Sequence, residues 1–302
     1  MHLSHVETVG RRAWPGTPEV LAAEEAASRG GVEITADVIP YTAVCTTMLA
    51  LYPPWSLDGG VEAFLERLRD PVARARMKRE IAETSAAWPP WEENGRFTMN
   101  IARECGWDHI RLAHVNGARN KECEHLTIAA IARRRGRDPF DALSDLLLEE
   151  SGVATQLIFG ISGEEETDDP LLPLLGSPRL AIVSDAWEIG KGFPHPGAYG
   201  AFPRVLGHYV RDRKLLGLEE AVRKMTSLPA DRLGLTDRGR VEAGRKADLL
   251  VFDPLTIADR STFTDPRRFA AGIDEVLVNG RRLVAGREYR PQAAGKVLRR
   301  AG

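Results

Sequence analysis

The chain has 302 residues, 43% of them hydrophobic, with a formal net charge of −2 and an isoelectric point near 6.4. That is enough apolar material for a large core in one domain or two, and the near-neutral balance argues against nucleic acid or an anionic membrane surface as the main partner. No apolar run is long enough to span a bilayer.

The opening "MHLSHVETVG" reads as a strand, with His2 inside it and His5 at its end. The segment "TPEVLAAEEAASRGG" follows as a helix, with Thr17 suited to cap it, Pro18 in its first turn and Gly30 at its end. "VEITADVIPY" is a β-branched run stopped by Pro40, so the first forty or so residues predict one parallel βαβ unit. From Cys45 to about Leu175 the chain turns rich in Trp and Pro ("LYPPW", "WPPWEENG"). It interleaves short helices with apolar runs such as "IRLAHV" and "TQLIFGI", and is expected to be an insertion of about 45–175 lying as a lid over an active-site face. Within it "DPFDALSDLLLEESG" is an amphipathic helix capped by Asp138 and begun by Pro139, and "RRR" at Arg133–Arg135 reads as a solvated helix face.

"RLAIVSDA" is then a buried strand that ends in the carboxylate of Asp185, followed by two helical stretches, "YGAFPRVLGHYVRDRKLL" and "LEEAVRKMTSLPADRLGL". The tail changes character: "KADLLVFDP" and "IDEVLVNGRRLVAGREY" alternate like antiparallel strands, with Asn279-Gly280 as a hairpin turn. The three cysteines, Cys45, Cys105 and Cys123, have no metal-type spacing, and no segment resembles a secretory leader, so a reducing, cytoplasmic setting is expected.

Chemistry concentrates at two strand ends. In a parallel α/β barrel the side chains at the carboxyl ends of strands form the rim of the active site. A histidine and an aspartate delivered there, His5 and Asp185, can share a metal ion. The imidazole would ligate, and the carboxylate would ligate or take a proton from water. The same residue types also serve structurally, a strand-end histidine as a packing group and an aspartate as a helix cap. His109, His114 and His125 lack a ligand spacing and read as structural, and His208 reads as helix packing.

At these residues the sequence resembles a known family. "SDAW…HPGAYGAFPRVLGHYVRDRKLLGLEEAVRKMTSLPADRLGLTDRGRVEAGRKADLLVFDP", continued by "TFTDPRRFAAGIDEVLVNG", resembles the C-terminal part of the D-aminoacylase (N-acyl-D-amino-acid deacylase) family of the amidohydrolase superfamily. "SHVETVG" and "TADVIPYTAVCTTMLALYPPW" look like that family's segments around barrel strands six and seven. The resemblance implies the C-terminal part of a metal-dependent (β/α)8 barrel over residues 1–240, with the insertion, and strands of a small composite β-sandwich over 241–302. It implies hydrolysis of an amide C–N bond by a zinc-activated water, with His5 as a metal ligand and Asp185 as metal-proximal general base and acid.

It also implies elements that are not in this sequence. The family's earlier βα units carry a His-x-His pair, a bridging Cys or acid and a further histidine, so the chain is expected to need a missing N-terminal half or a partner chain, and to bind zinc weakly and turn over little alone. His5 and Asp185 give two ligands where zinc needs three or four. The substrate is expected to be a small molecule. Family members read "SHHK", "DxYPYxAGS" and "HPR" where this chain has "SHVE", "DVIPYTAVC" and "HPG". Glu7, Ile39, Cys45 and Gly197 thus stand where anion-handling groups would be, and His195 is expected to line the pocket or to fix its own turn. Losing an Arg and a Lys while gaining a carboxylate predicts a substrate without a free carboxylate beside the scissile amide. Two rival readings stay open: a cyclic-amide hydrolase of the hydantoin- or dihydropyrimidine-opening type, and a non-catalytic fragment.

Overall fold

The computed structural model describes residues 1–84 and 99–298, so "WPPWEENG" at 88–95 lies outside the described residues. In chain order the first unit is β1 (His2–Leu3), α1 (Thr17–Arg29) and β2 (Thr35–Val38). Thr17 does not cap α1: a 3-10 turn, Trp14–Gly16, runs straight into the helix, Gly16 takes the cap position, and the Thr17 hydroxyl donates back to the Trp14 carbonyl at 3.0 Å. An N-cap must leave the helical backbone to offer its oxygen to the following amides, and here the backbone is already helical before Thr17.

The next segment builds its own sheet and core. It comprises β3 (Ala43–Thr47), the helices α2 (Gly60–Arg69), α3 (Pro71–Glu83) and α4 (Ile101–Cys105), then β4 (Ile110–Val115), α5 (Ile128–Arg135), α6 (Pro139–Glu149) and β5 (Ala154–Phe159). The strands form an antiparallel sheet in the order β3-β5-β4. Behind it Phe64, Leu68, Ile110, Ile131, Leu143 and Leu146 pack into a fully buried cluster. Asp138 caps α6 as expected, accepting from the Phe140 amide at 3.0 Å. The lid expected from the sequence is therefore a packed layer with its own hydrophobic core.

The chain then returns through α7 (Leu172–Gly176) to β6 (Leu180–Ile182), which completes a parallel sheet in the order β1-β2-β6. Within the described residues β1 and β6 each pair on one side only. α8 (Gly197–Arg204) leads into a π-helical stretch, Val205–Asp212, and then α9 (Leu218–Met225) and α10 (Ser227–Arg232). Val38, Leu180, Val205 and Tyr209 join the parallel sheet to these helices in a second buried cluster.

The tail forms an antiparallel sheet, β10-β9-β8-β7, from β7 (Leu249–Phe252), β8 (Ile273–Val278), β9 (Arg281–Ala285) and β10 (Glu288–Tyr289). Its hairpin turns at Asn279-Gly280, as the sequence predicts, with φ of +49° and +77°. Two successive positive φ values are what a two-residue turn matching strand twist requires. Among the described residues no helix is long and apolar enough to cross a membrane.

Candidate functional site

The parallel register brings the carboxyl ends of the three strands to one edge. Leu3 faces Ala36 across β1 and β2, and Asp37 faces Ala181 across β2 and β6, so the chain just beyond Leu3 and Ile182 leaves the sheet on the same side. His5 and Asp185 occupy these exits. Both are exposed, and both hold left-handed backbone conformations, with φ of +37° and +39°. For a residue with a Cβ this costs about 1–3 kcal/mol, and such strain gathers where a side chain must be aimed. The His5 amide donates to the Asp37 carboxylate, which fixes the turn.

Between these exits lies Glu7. Its side chain keeps only 13% of its exposure, one carboxyl oxygen has no hydrogen-bond partner, and the other sits 4.0 Å from His5 Nδ1. Burial first, and then the charges of Asp185 and Asp37, push the Glu7 carboxyl up to about 8. Asp37 is a member of this group that the sequence reading missed. It accepts from the His5 amide and sits 2.8 Å from His2 Nε2. The available signal was a charge inside a β-branched run, "ITADVI".

The other expected residues fall differently. His195 is buried, and both ring nitrogens are used: Nε2 lies 2.9 Å from the Ala43 carbonyl, and Nδ1 accepts from the Gly197 amide at 3.0 Å. Burial depresses the ring to about 4, so it is a neutral turn-fixing histidine with no nitrogen left for a ligand. Gly197 lies against that ring, where a Cβ would come within 2.8 Å of Nδ1 and 3.4 Å of Tyr41 Cε2. Ile39 is buried with Tyr41 and Ala201. Gly197 and Ile39 thus pack around Tyr41 and His195.

Cys45 borders a shallow depression with Thr155, Trp187, Ile189 and Phe193, and burial raises its thiol to about 11, with Asp185 adding to the shift. His208 is no mere packing group: it pairs with Asp168 at 2.8 Å. His114 contacts Glu124 and Asn116, each at 3.1 Å, consistent with its structural reading.

Zinc in a catalytic site takes three protein ligands and leaves one position open. Among the described residues no three His, Cys, Asp or Glu side chains are arranged to hold a metal ion. The described residues therefore do not make a zinc site by themselves.

A family model described as "Amidohydrolase family" matches residues 52–284. A D-aminoacylase of Alcaligenes xylosoxydans xylosoxydans is 54% identical over 178 residues, covering 56% of this chain and 33% of that protein. An N-acyl-D-glutamate deacylase of the same organism is 51% identical over 181 residues, covering 59% and 34%. Among solved structures, a D-aminoacylase studied for its binuclear metal centre superposes with a TM-score of 0.72 at 29% identity, covering 99% of this chain and 49% of that one. An N-acyl-D-glutamate deacylase of Bordetella bronchiseptica, complexed with zinc and a phosphonate mimic of the tetrahedral intermediate, gives 0.67 at 29% identity, covering 93% and 46%. The chain spans about a third of the length of the curated relatives it matches, and about half that of the solved structures.

Proposed function

The chain belongs to the amidohydrolase family, and from that premise we propose that it forms the strand-six-to-eight part of an N-acyl-D-amino-acid deacylase barrel. The carrying observation is the shared exit of His5 and Asp185 from one edge of the parallel sheet, both in left-handed backbone, with the buried Glu7 carboxyl between them. The matched relatives, all deacylases of open-chain substrates by name, favour this over cyclic-amide opening.

In the reaction, water attacks the acyl carbonyl carbon and Asp185 takes its proton. The C–N bond then breaks, and Asp185 returns the proton to the leaving nitrogen, giving a carboxylic acid and an amine. His5 would be one ligand of a zinc ion whose other ligands come from outside the described residues. The chain's own share of the chemistry is thus proton handling and positioning. Among the described residues β1 and β6 each pair on one side only, and this supports completion of the sheet by further strands, because backbone amides and carbonyls at a sheet edge need partners. On the substrate side, the argument for an amine without a free carboxylate now rests on the position of Glu7, where a buried carboxyl that keeps its proton to about pH 8 stands in place of a cation and offers an anion no counter-charge, since Ile39 and Gly197 pack around Tyr41 and His195.

The test is to combine the chain with a polypeptide carrying the remaining barrel strands, and to measure bound zinc and turnover of N-acetyl-D-leucine, N-acetyl-D-glutamate and the amide of N-acetyl-D-leucine. The combination is expected to hydrolyse N-acyl substrates, favouring the amide, while the chain alone holds less than stoichiometric zinc and turns over little. Asp185→Asn is expected to lower kcat roughly 10²–10⁴-fold with a smaller change in KM. Stoichiometric zinc with robust turnover by the chain alone, or an Asp185→Asn variant near parental kcat, refutes the reading. A preference for the free acid refutes the role given to Glu7.

A further inference from the structure

The loop that leaves Asp185 is held by a residue more than eighty positions further along. Arg267 lies in the irregular segment between β7 and β8. Its guanidinium meets both carboxylate oxygens of Glu188, each at 3.0 Å. It also donates to two consecutive loop carbonyls, Lys191 at 3.0 Å and Gly192 at 2.8 Å. A planar fork engaged with a carboxylate and two backbone oxygens fixes direction as well as distance, which a lysine could not reproduce.

The loop is pinned from inside as well. Glu188 accepts from the Gly190 amide at 2.5 Å and from the Tyr199 hydroxyl at 3.1 Å. The Phe193 amide donates to the Ala113 carbonyl of β4 at 2.8 Å, and Gly192 runs so close to β4 that a Cβ would meet the Ala113 oxygen at 2.5 Å. The span 186–193 is thus stretched between β4 on one side and Arg267 on the other. It carries Trp187 and Ile189, half-exposed, along the depression that Cys45 borders. Asp185, in its left-handed backbone, is the residue immediately before this span.

We propose that Arg267 is a positioning residue for the proposed deacylation: by clamping Glu188 and the 191–192 carbonyls it sets the loop that aims Asp185 and forms the Trp187–Ile189 wall. Relaxing the clamp lets the loop swing about its β4 anchor, so Asp185 loses its aim while the sheet and its core stay intact. This rests on the role given to Asp185 above.

The test uses Arg267→Ala, Arg267→Lys and Glu188→Gln in the full chain. Tryptic cleavage after Lys191 and amide exchange over 186–192 read the loop directly, whatever the chain's activity. Arg267→Ala and Glu188→Gln are each expected to speed cleavage at Lys191 on the order of tenfold. The double variant should gain little more than either alone, because both remove one interaction. In the chain combined with its remaining strands, kcat is expected to fall more than KM rises, and Arg267→Lys is expected not to restore it. Parental loop exchange in both Arg267→Ala and Glu188→Gln overturns the clamp. A loosened loop with parental kcat and KM overturns the positioning role. If the parent combination hydrolyses nothing, it is the deacylase reading that fails, and the clamp stands or falls on loop exchange alone.

Discussion

Replacing Gly197 by alanine isolates a question the sequence comparison raises, whether the position that reads "HPG" here has room for a longer side chain. An added Cβ would lie 2.8 Å from His195 Nδ1, 3.2 Å from His195 Cε1 and 3.4 Å from Tyr41 Cε2. Neither ring is a flexible tip. His195 is held at both nitrogens, by Ala43 and Gly197, and Tyr41 packs edge-on to it with ring centroids 4.8 Å apart. Overpacking of this kind costs about 1–3 kcal/mol. The loss of chain freedom in the unfolded state offsets about 0.4–1 kcal/mol of that at a helical position. The net expectation is a loss of about 0.5–2 kcal/mol, or a Tm lowered by roughly 1–3 °C for a chain of this size. Thermal unfolding of parent and Gly197→Ala under identical conditions measures it. An unchanged or raised Tm would show that the two rings yield and that the assignment of position 197 as a tightly packed position is wrong.

Two pH dependences follow from the same region. His195 is depressed to about 4 in the folded state, so the unfolded chain binds the extra proton between there and the usual 6.5; stability rises with pH across that window and is lost as pH falls through it, by on the order of 3 kcal/mol. The stability difference between parent and His195→Gln, from urea unfolding, should therefore shrink as pH falls from 7 toward 4, and a constant difference would mean the ring is not held neutral. Glu7 has the opposite sign: raised to about 8, it favours the folded state fully below 4.5, and that contribution is lost as pH climbs to about 8, by on the order of 5 kcal/mol. Glu7→Gln should then match the parent near pH 5 and exceed it in stability at pH 8 and above; equal pH profiles would show that Glu7 is not desolvated beside Asp185.

What the sequence makes legible here is what local chemistry dictates. The Asn279-Gly280 hairpin needs two left-handed residues, and the Asp138 cap needs one side-chain oxygen beside its own helix; both are short-range demands that residue types announce. His5 and Asp185 were expected at strand ends, and they lie a few residues beyond β1 and β6. The insertion's sheet was not, because its pairings are remote: Cys45 faces Leu157, and the runs around "IRLAHV" and "TQLIFGI" show their partners only once folded. Asp37 was missed for the same reason, since it joins the site only through the parallel register of β1 and β2. The motif "HPG" showed that a side chain was absent, but not that an imidazole lies where it would have been.

The residues that differ from the family pattern therefore divide by physical role. Ile39 and Gly197 belong to the packing around Tyr41 and His195, where volume and hydrogen bonds decide which residue fits. Glu7 lies by His5, near Asp185 and Asp37, where burial and neighbouring charge decide. Two carboxyl groups that feel one another do not both ionise cheaply, and the buried member is the one that keeps the proton. Glu7 is that member, with a proton retained to about pH 8, while Asp185 stands exposed beyond β6. The glutamate thus has two effects. It puts no cation where an anionic substrate would need one, and it sets a carboxyl that keeps its own proton near Asp185. A substitution that reads from the sequence as a change of substrate preference thus also sets, in the folded chain, which group neighbours Asp185 and what charge that group carries.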